Sequence, residues 1–159
     1  MFARGVENIF YHQGAGGEIN NGIYNLEFAL LGEEGEPRKV YAAQAALAHM
    51  LGPQFMYVDH LKNQVPDSNS RTHNIQGYSF QCNEKAVLIA WVSENEKADV
   101  ILNVPQEAEV YNIMGTKILT ASCIILTHSP VYIVTYSTTA MDLVRSCSVS
   151  IAGSVKTLK

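Results

Sequence analysis

One helix signal, bounded at both ends by proline and followed only by strand-like runs, limits this chain more than any other feature. The signal is the stretch 36–53, EPRKVYAAQAALAHMLGP. Proline is tolerated in the first turn of a helix, so Pro37 is expected just inside the start, with Glu33, Glu34 and Glu36 near the positive end of the dipole. Gly52 suits the left-handed position after the last turn, His49 lies near the negative end, and Pro53 cannot continue the helix. Val40, Ala43, Leu47 and Met50 or Leu51 fall on one stripe at helical spacing, and Tyr41 and the alanines widen it to a closely packing face. Such a helix is built to lie against a sheet.

Ahead of it, Val6–His12 has strand character, and the loop 14–35 between them is too long for a plain connector. The strand turns polar and aromatic at its carboxyl end, the end that carries the ligand site in parallel α/β sheets. Downstream the strand-like runs come at regular spacing: 55–58, 77–82, 86–92, 100–104, 109–113, 123–126 and 131–136. Asn83-Glu84 between the second and third predicts a hairpin. Seven or so short strands make a sandwich, and Pro130 suits an edge or first-residue position in the last of them. The expected class is α+β, mostly β. Residues 137–159 are rich in Ser and Thr, have no clear period, and are left unassigned with a composition open to disorder.

Several functions are disfavoured at this point. A net charge of −4 over 159 residues gives no basic patch for nucleic acid or an anionic membrane surface. No apolar run reaches the roughly 20 residues that span a bilayer. The start has no signal-peptide core, though Met1 need not be the natural beginning, so localisation stays open. Cys82, Cys123 and Cys147 cannot all pair within the chain and lack metal-site spacing; Cys82 and Cys123 are expected as buried free thiols. His49, His60, His73 and His128 are scattered without metal-ligand spacing, and no metal or other cofactor is expected.

Gly14-Ala15-Gly16-Gly17 lacks the third glycine of a dinucleotide fingerprint, since Ile19 stands there. Glu18 and Glu27 lie on the loop at the ligand end, but loop glutamates are usually solvated and the two are not taken as a catalytic pair. Trp91, Tyr78, Tyr111 and Tyr132 lie in apolar strands and are read as core.

The order of motifs resembles the end of a (β/α)8-barrel glycoside hydrolase of the large retaining clan. It runs from a strand with an aromatic-polar end through a glycine-rich loop and Gly22-Ile23 to Gly35-Glu36-Pro37-Arg38, which opens a helix with Tyr41-Ala42-Ala43 and ends at Leu51-Gly52. The later runs, Val110-Tyr111-Asn112-Ile113-Met114-Gly115 and Leu126-Thr127 to Pro130-Val131-Tyr132-Ile133, are similar to the last strands of the accessory sandwich found beside such barrels. The resemblance implies that residues 1–53 are the last βα unit of a TIM-type barrel, strand 8, loop and helix 8, and that 54–136 are the accessory antiparallel β-sandwich. It implies action on O-glycosidic bonds of carbohydrates.

It also implies incompleteness. In that clan the acid/base glutamate follows the fourth strand and the nucleophile ends the seventh, so a chain beginning at the eighth has neither of the two carboxyl groups, about 5 Å apart, that retaining chemistry needs. No catalytic residue is therefore assigned. Tyr11, His12 and Gln13 match a substrate-subsite position, an aromatic face beside groups that bond hydroxyls, with Asn20, Asn21 and Tyr24 as further candidates. The alternative is a non-catalytic β-sandwich module that binds carbohydrate or another partner.

Overall fold

The computed structural model describes residues 30–31, 36–61, 75–93, 99–118 and 122–151. Its clearest element is the hairpin of β2 (Ile75–Cys82) and β3 (Lys85–Val92), paired from Ile75↔Val92 to Cys82↔Lys85 through the turn Asn83-Glu84. Asn83 takes φ 46° there, a left-handed value that asparagine tolerates better than most residues. Around this hairpin the chain adds β1 (Met56–His60) on one side and β8 (Val131–Thr135), β5 (Glu109–Asn112) and β6 (Lys117–Ile118) on the other. The six-stranded antiparallel sheet has the order β1-β2-β3-β8-β5-β6. A second sheet of three strands has β4 (Val100–Asn103) between β7 (Cys123–Leu126) and β9 (Ser148–Ile151).

Strand alternation decides what each face touches. Ala86, Leu88, Ala90 and Val92 of β3 face inward, meeting Val100 and Leu102 of β4, Ile124 and Leu126 of β7, and Ile133 of β8 in the inter-sheet core. The six-stranded sheet is apolar on its other side too. There Phe80, Cys82, Val87, Tyr132 and Val134 lie under α1 (Lys39–Leu51), which buries Ala46, Met50 and Leu51 against them. All five residues of β8 are consequently buried.

The helix differs from expectation at its start and agrees at its end. Pro37 sits outside, in a bridge with Leu31, because the Arg38 N–H donates to the Leu30 carbonyl at 3.0 Å and Arg38 itself stays extended as the N-cap. Gly52 closes the other end with φ 73°, its N–H donating to Ala48 at 2.8 Å. The packed stripe is rotated toward Ala46, Met50 and Leu51, while Val40 is 38 % exposed.

Three further expectations change. Residues 137–151 are not without structure: Thr139 caps α2 (Ala140–Ser146), accepting from the Asp142 N–H at 3.2 Å, and β9 follows. This helix buries Ala140 and Leu143, and Cys147 beyond it, in the inter-sheet core. Its first N–H is satisfied by Gln81 Oε1 at 2.9 Å, which ties it to β2. Pro130 does stand just ahead of its strand, but of the two positions expected for it the edge is excluded, because β8 is an interior strand. Cys123 is exposed, because it shares the outward face of β7 with Ile125. Among the described residues the fold is mostly β with antiparallel sheets, as the strand spacing predicts, and α2 is a second helix that the sequence pattern does not predict. The strand expected at Val6–His12 lies outside the described residues.

Candidate functional site

Tyr11, His12, Gln13, Asn20, Asn21 and Tyr24 also lie outside the described residues, as do Glu18 and Glu27. The polar and aromatic chemistry that the structure describes is gathered instead on the outer face of the six-stranded sheet, around the footprint of α1.

On one side of the helix runs an aromatic row. Phe55 and Tyr57 meet Phe80 edge-on at centroid distances of 5.9 and 6.0 Å, Tyr57 lies 6.5 Å from Tyr78, and Tyr78 lies 5.7 Å from Trp91. Period-two alternation places these side chains together, since Tyr78 and Phe80 share the outer face of β2 and Trp91 stands opposite Gln76. The Tyr78 hydroxyl donates to Gln76 Oε1 at 3.1 Å, and the Tyr57 hydroxyl pairs with His60 Nδ1 at 3.1 Å. Burial, and then the Asp59 carboxylate, raise the Tyr57 phenol above its usual value. Trp91 is therefore a half-buried member of this row rather than part of the inter-sheet core, whereas Tyr132 is core, at 3 % exposure.

On the other side, where the helix ends, an open cleft of about 490 Å³ is lined by Leu51 and Gly52 of the helix end, by Cys82 and the hairpin residues Asn83, Glu84 and Lys85, and by Tyr136. Lys85 Nζ donates to the His49 carbonyl at 3.3 Å, so its charge meets the negative end of α1. Tyr136 follows β8 and is 62 % exposed. It borders a second cluster, in which Glu109 Oε2 accepts from the Tyr111 hydroxyl at 2.7 Å and Glu109 Oε1 from Lys117 Nζ at 2.5 Å. The Lys117 bond, then the Tyr111 bond and in smaller part Tyr136, hold the Glu109 carboxyl below its ordinary value. The same bond to Glu109, with burial, pushes the Tyr111 phenol up to about 12.

Chemically this face offers ring surfaces beside hydrogen-bonding groups, with Glu109 already paired to Lys117. Among the described residues no group of three or more His, Cys, Asp or Glu could hold a metal ion. No described helix is long and apolar enough to cross a membrane. The cleft was missed in the sequence because it joins the helix end, the hairpin turn and the residue after β8, positions far apart in the chain. The one local signal was the aromatic Tyr136 at a strand end beside Ser137.

No family profile matches the chain, and no curated protein matches it. Among solved structures it is similar to a GH30 endoxylanase from Clostridium papyrosolvens C71, with 14 % identity and a TM-score of 0.44. That likeness covers 69 % of this chain and 31 % of the endoxylanase, so the chain spans about a third of that protein's length.

Proposed function

We propose that the chain is the carboxyl-terminal segment of a glycoside hydrolase that acts on O-glycosidic bonds of carbohydrates. Residues 1–53 would supply the last βα unit of the (β/α)8 barrel and the sandwich its accessory domain. The segment alone carries neither catalytic carboxylate of the clan it resembles and is inert in hydrolysis. Tyr11, His12 and Gln13 would line a sugar subsite at the barrel's ligand end, with Asn20, Asn21 and Tyr24 on the loop beside them.

The observation that carries this reading is that α1 is apolar on two sides. Its sheet side buries Ala46, Met50 and Leu51. The opposite side exposes Tyr41, at 44 %, together with Ala45 and Ala48, one and two turns further on. A helix at a water boundary normally turns charge outward, and one that is apolar all round belongs between two layers. The sandwich is one layer, and barrel strands would be the other.

The second reading is a free-standing sandwich module that binds carbohydrate or another partner, in which the same helix would cover the second apolar cluster on the sheet. The two part at the coding sequence upstream of Met1. The hydrolase reading expects an open frame continuing through seven more βα units with a glutamate after the fourth and at the end of the seventh strand. A stop codon close upstream in the same frame would overturn it.

A further inference from the structure

We infer that the cleft between the end of α1 and the β2–β3 hairpin is a binding site for a neutral oligosaccharide, with the Tyr136 ring as its platform. The carbohydrate class rests on the reading above, whereas the site itself needs no barrel residue.

Size, charge and ring exposure each narrow the ligand. The cleft, at about 490 Å³, falls within the ~300–1,000 Å³ of small-ligand sites. The lining holds one anion, Glu84, and one cation, Lys85, and Glu109 beside it is paired with Lys117, so a ligand with net charge meets no field of one sign to repay its desolvation. What the rim does offer is the amide of Asn83 and the carboxylate of Glu84, donors and acceptors suited to hydroxyl groups, beside the ring of Tyr136, whose own hydroxyl turns to Glu109. Tyr136 is the most exposed aromatic among the described residues, and an exposed ring gives the C–H face of a pyranose an apolar surface. The aromatic row on the other side of the helix is less suited. Its rings pack edge to face on one another, and Trp91 and Tyr78 are half-buried.

The test is titration calorimetry and amide-shift mapping on the full 159-residue chain, with xylohexaose and cellohexaose as neutral probes and hexagalacturonate as the charged one. The expected result is saturable binding of at least one neutral probe, with shifts at Gly52, Lys85 and Tyr136. Tyr136→Ala should weaken binding about tenfold or more, and Tyr136→Phe, which keeps the ring, by no more than about threefold. Absence of saturable binding by both neutral probes, tighter binding of hexagalacturonate, shifts centred on Trp91, or wild-type affinity in Tyr136→Ala would each overturn the site. A thermal melt of Tyr136→Ala matching wild type assigns its loss to the ring rather than to unfolding. Because binding is read on the isolated chain and hydrolysis on the longer protein, either idea can fail without the other.

Discussion

Lys85 on β3 reaches back to α1, its Nζ 3.3 Å from the main-chain carbonyl oxygen of His49. Carbonyls in the last turn have no partner within their own helix, and an ammonium there also meets the negative end of the dipole. Lys85→Met keeps the aliphatic stem and removes the donor. It should cost about 1 kcal/mol, read as a lower urea midpoint at unchanged slope. An unchanged midpoint would mean that the sheet does not cap the helix in solution.

Gly115 tests the same contact from the other edge of the sheet. A Cβ there would lie 3.3 Å from the Cβ of Ala46, and Gly115 has φ 79°. Gly52 has φ 73° with nothing within 4 Å of the corresponding position. Both alanine substitutions put a side chain at positive φ, and Gly52, with ψ −173°, lies in a region essentially reserved for glycine, at a cost of roughly 1–3 kcal/mol; only Gly115→Ala also pushes the β5–β6 turn off the helix. A double-mutant cycle of Gly115→Ala with Ala46→Gly should show the two changes coupled, and losses in melting temperature that simply add would remove the close approach from the account.

The two faces of α1 should respond differently to change. Met50 is 4 % exposed on the sheet side, and Met50→Ala should cost about 2–5 kcal/mol through lost burial and a residual cavity. Ala45 is exposed on the far side, so Ala45→Glu should stay within about 0.5 kcal/mol in the isolated chain. In a longer protein that carries the barrel, the same charge would be buried unpaired and strongly destabilising. Chemical denaturation of both proteins compares the two values, and a neutral Ala45→Glu in the longer protein would place α1 at the surface.

Thiol chemistry follows from burial. Desolvation pushes the Cys82 thiol up to about 11 and the Cys147 thiol up to about 12, while Cys123 is exposed. A disulfide reagent at neutral pH should titrate one thiol quickly and two only as the protein unfolds. Raised folded-state values favour the protonated form, so this part of the stability is complete below the ordinary thiol value near ~8.5 and is lost as pH climbs toward the folded-state values. The urea midpoint should accordingly fall from pH 7 to pH 10, and fall less in Cys147→Ala. Three fast thiols would contradict the buried positions of Cys82 and Cys147.

Legibility in the sequence followed element length and local chemistry. The hairpin from Ile75 to Val92 could be read because alternation, β-branched content and Asn83-Glu84 agree. The two residues of β6 are too few to carry a period. The seven-residue α2 buries only Ala140 and Leu143, so its stripe was invisible, although Thr139 three residues before Asp142 is a start signal and Ser148-Val149-Ser150-Ile151 does alternate. Cys123 was misplaced because an apolar run does not say which of its residues face out. Of the cleft, nothing was legible as a site, since its walls come together only when α1 docks on the outer face of the sheet.

Reducing-sugar release from a panel of β-linked polysaccharides, measured for the isolated chain and for the protein encoded by the longer reading frame, tests the central claim most directly. The account predicts no release by the isolated chain and turnover by the longer protein, where two glutamates complete the site. Hydrolysis by the isolated chain would contradict it.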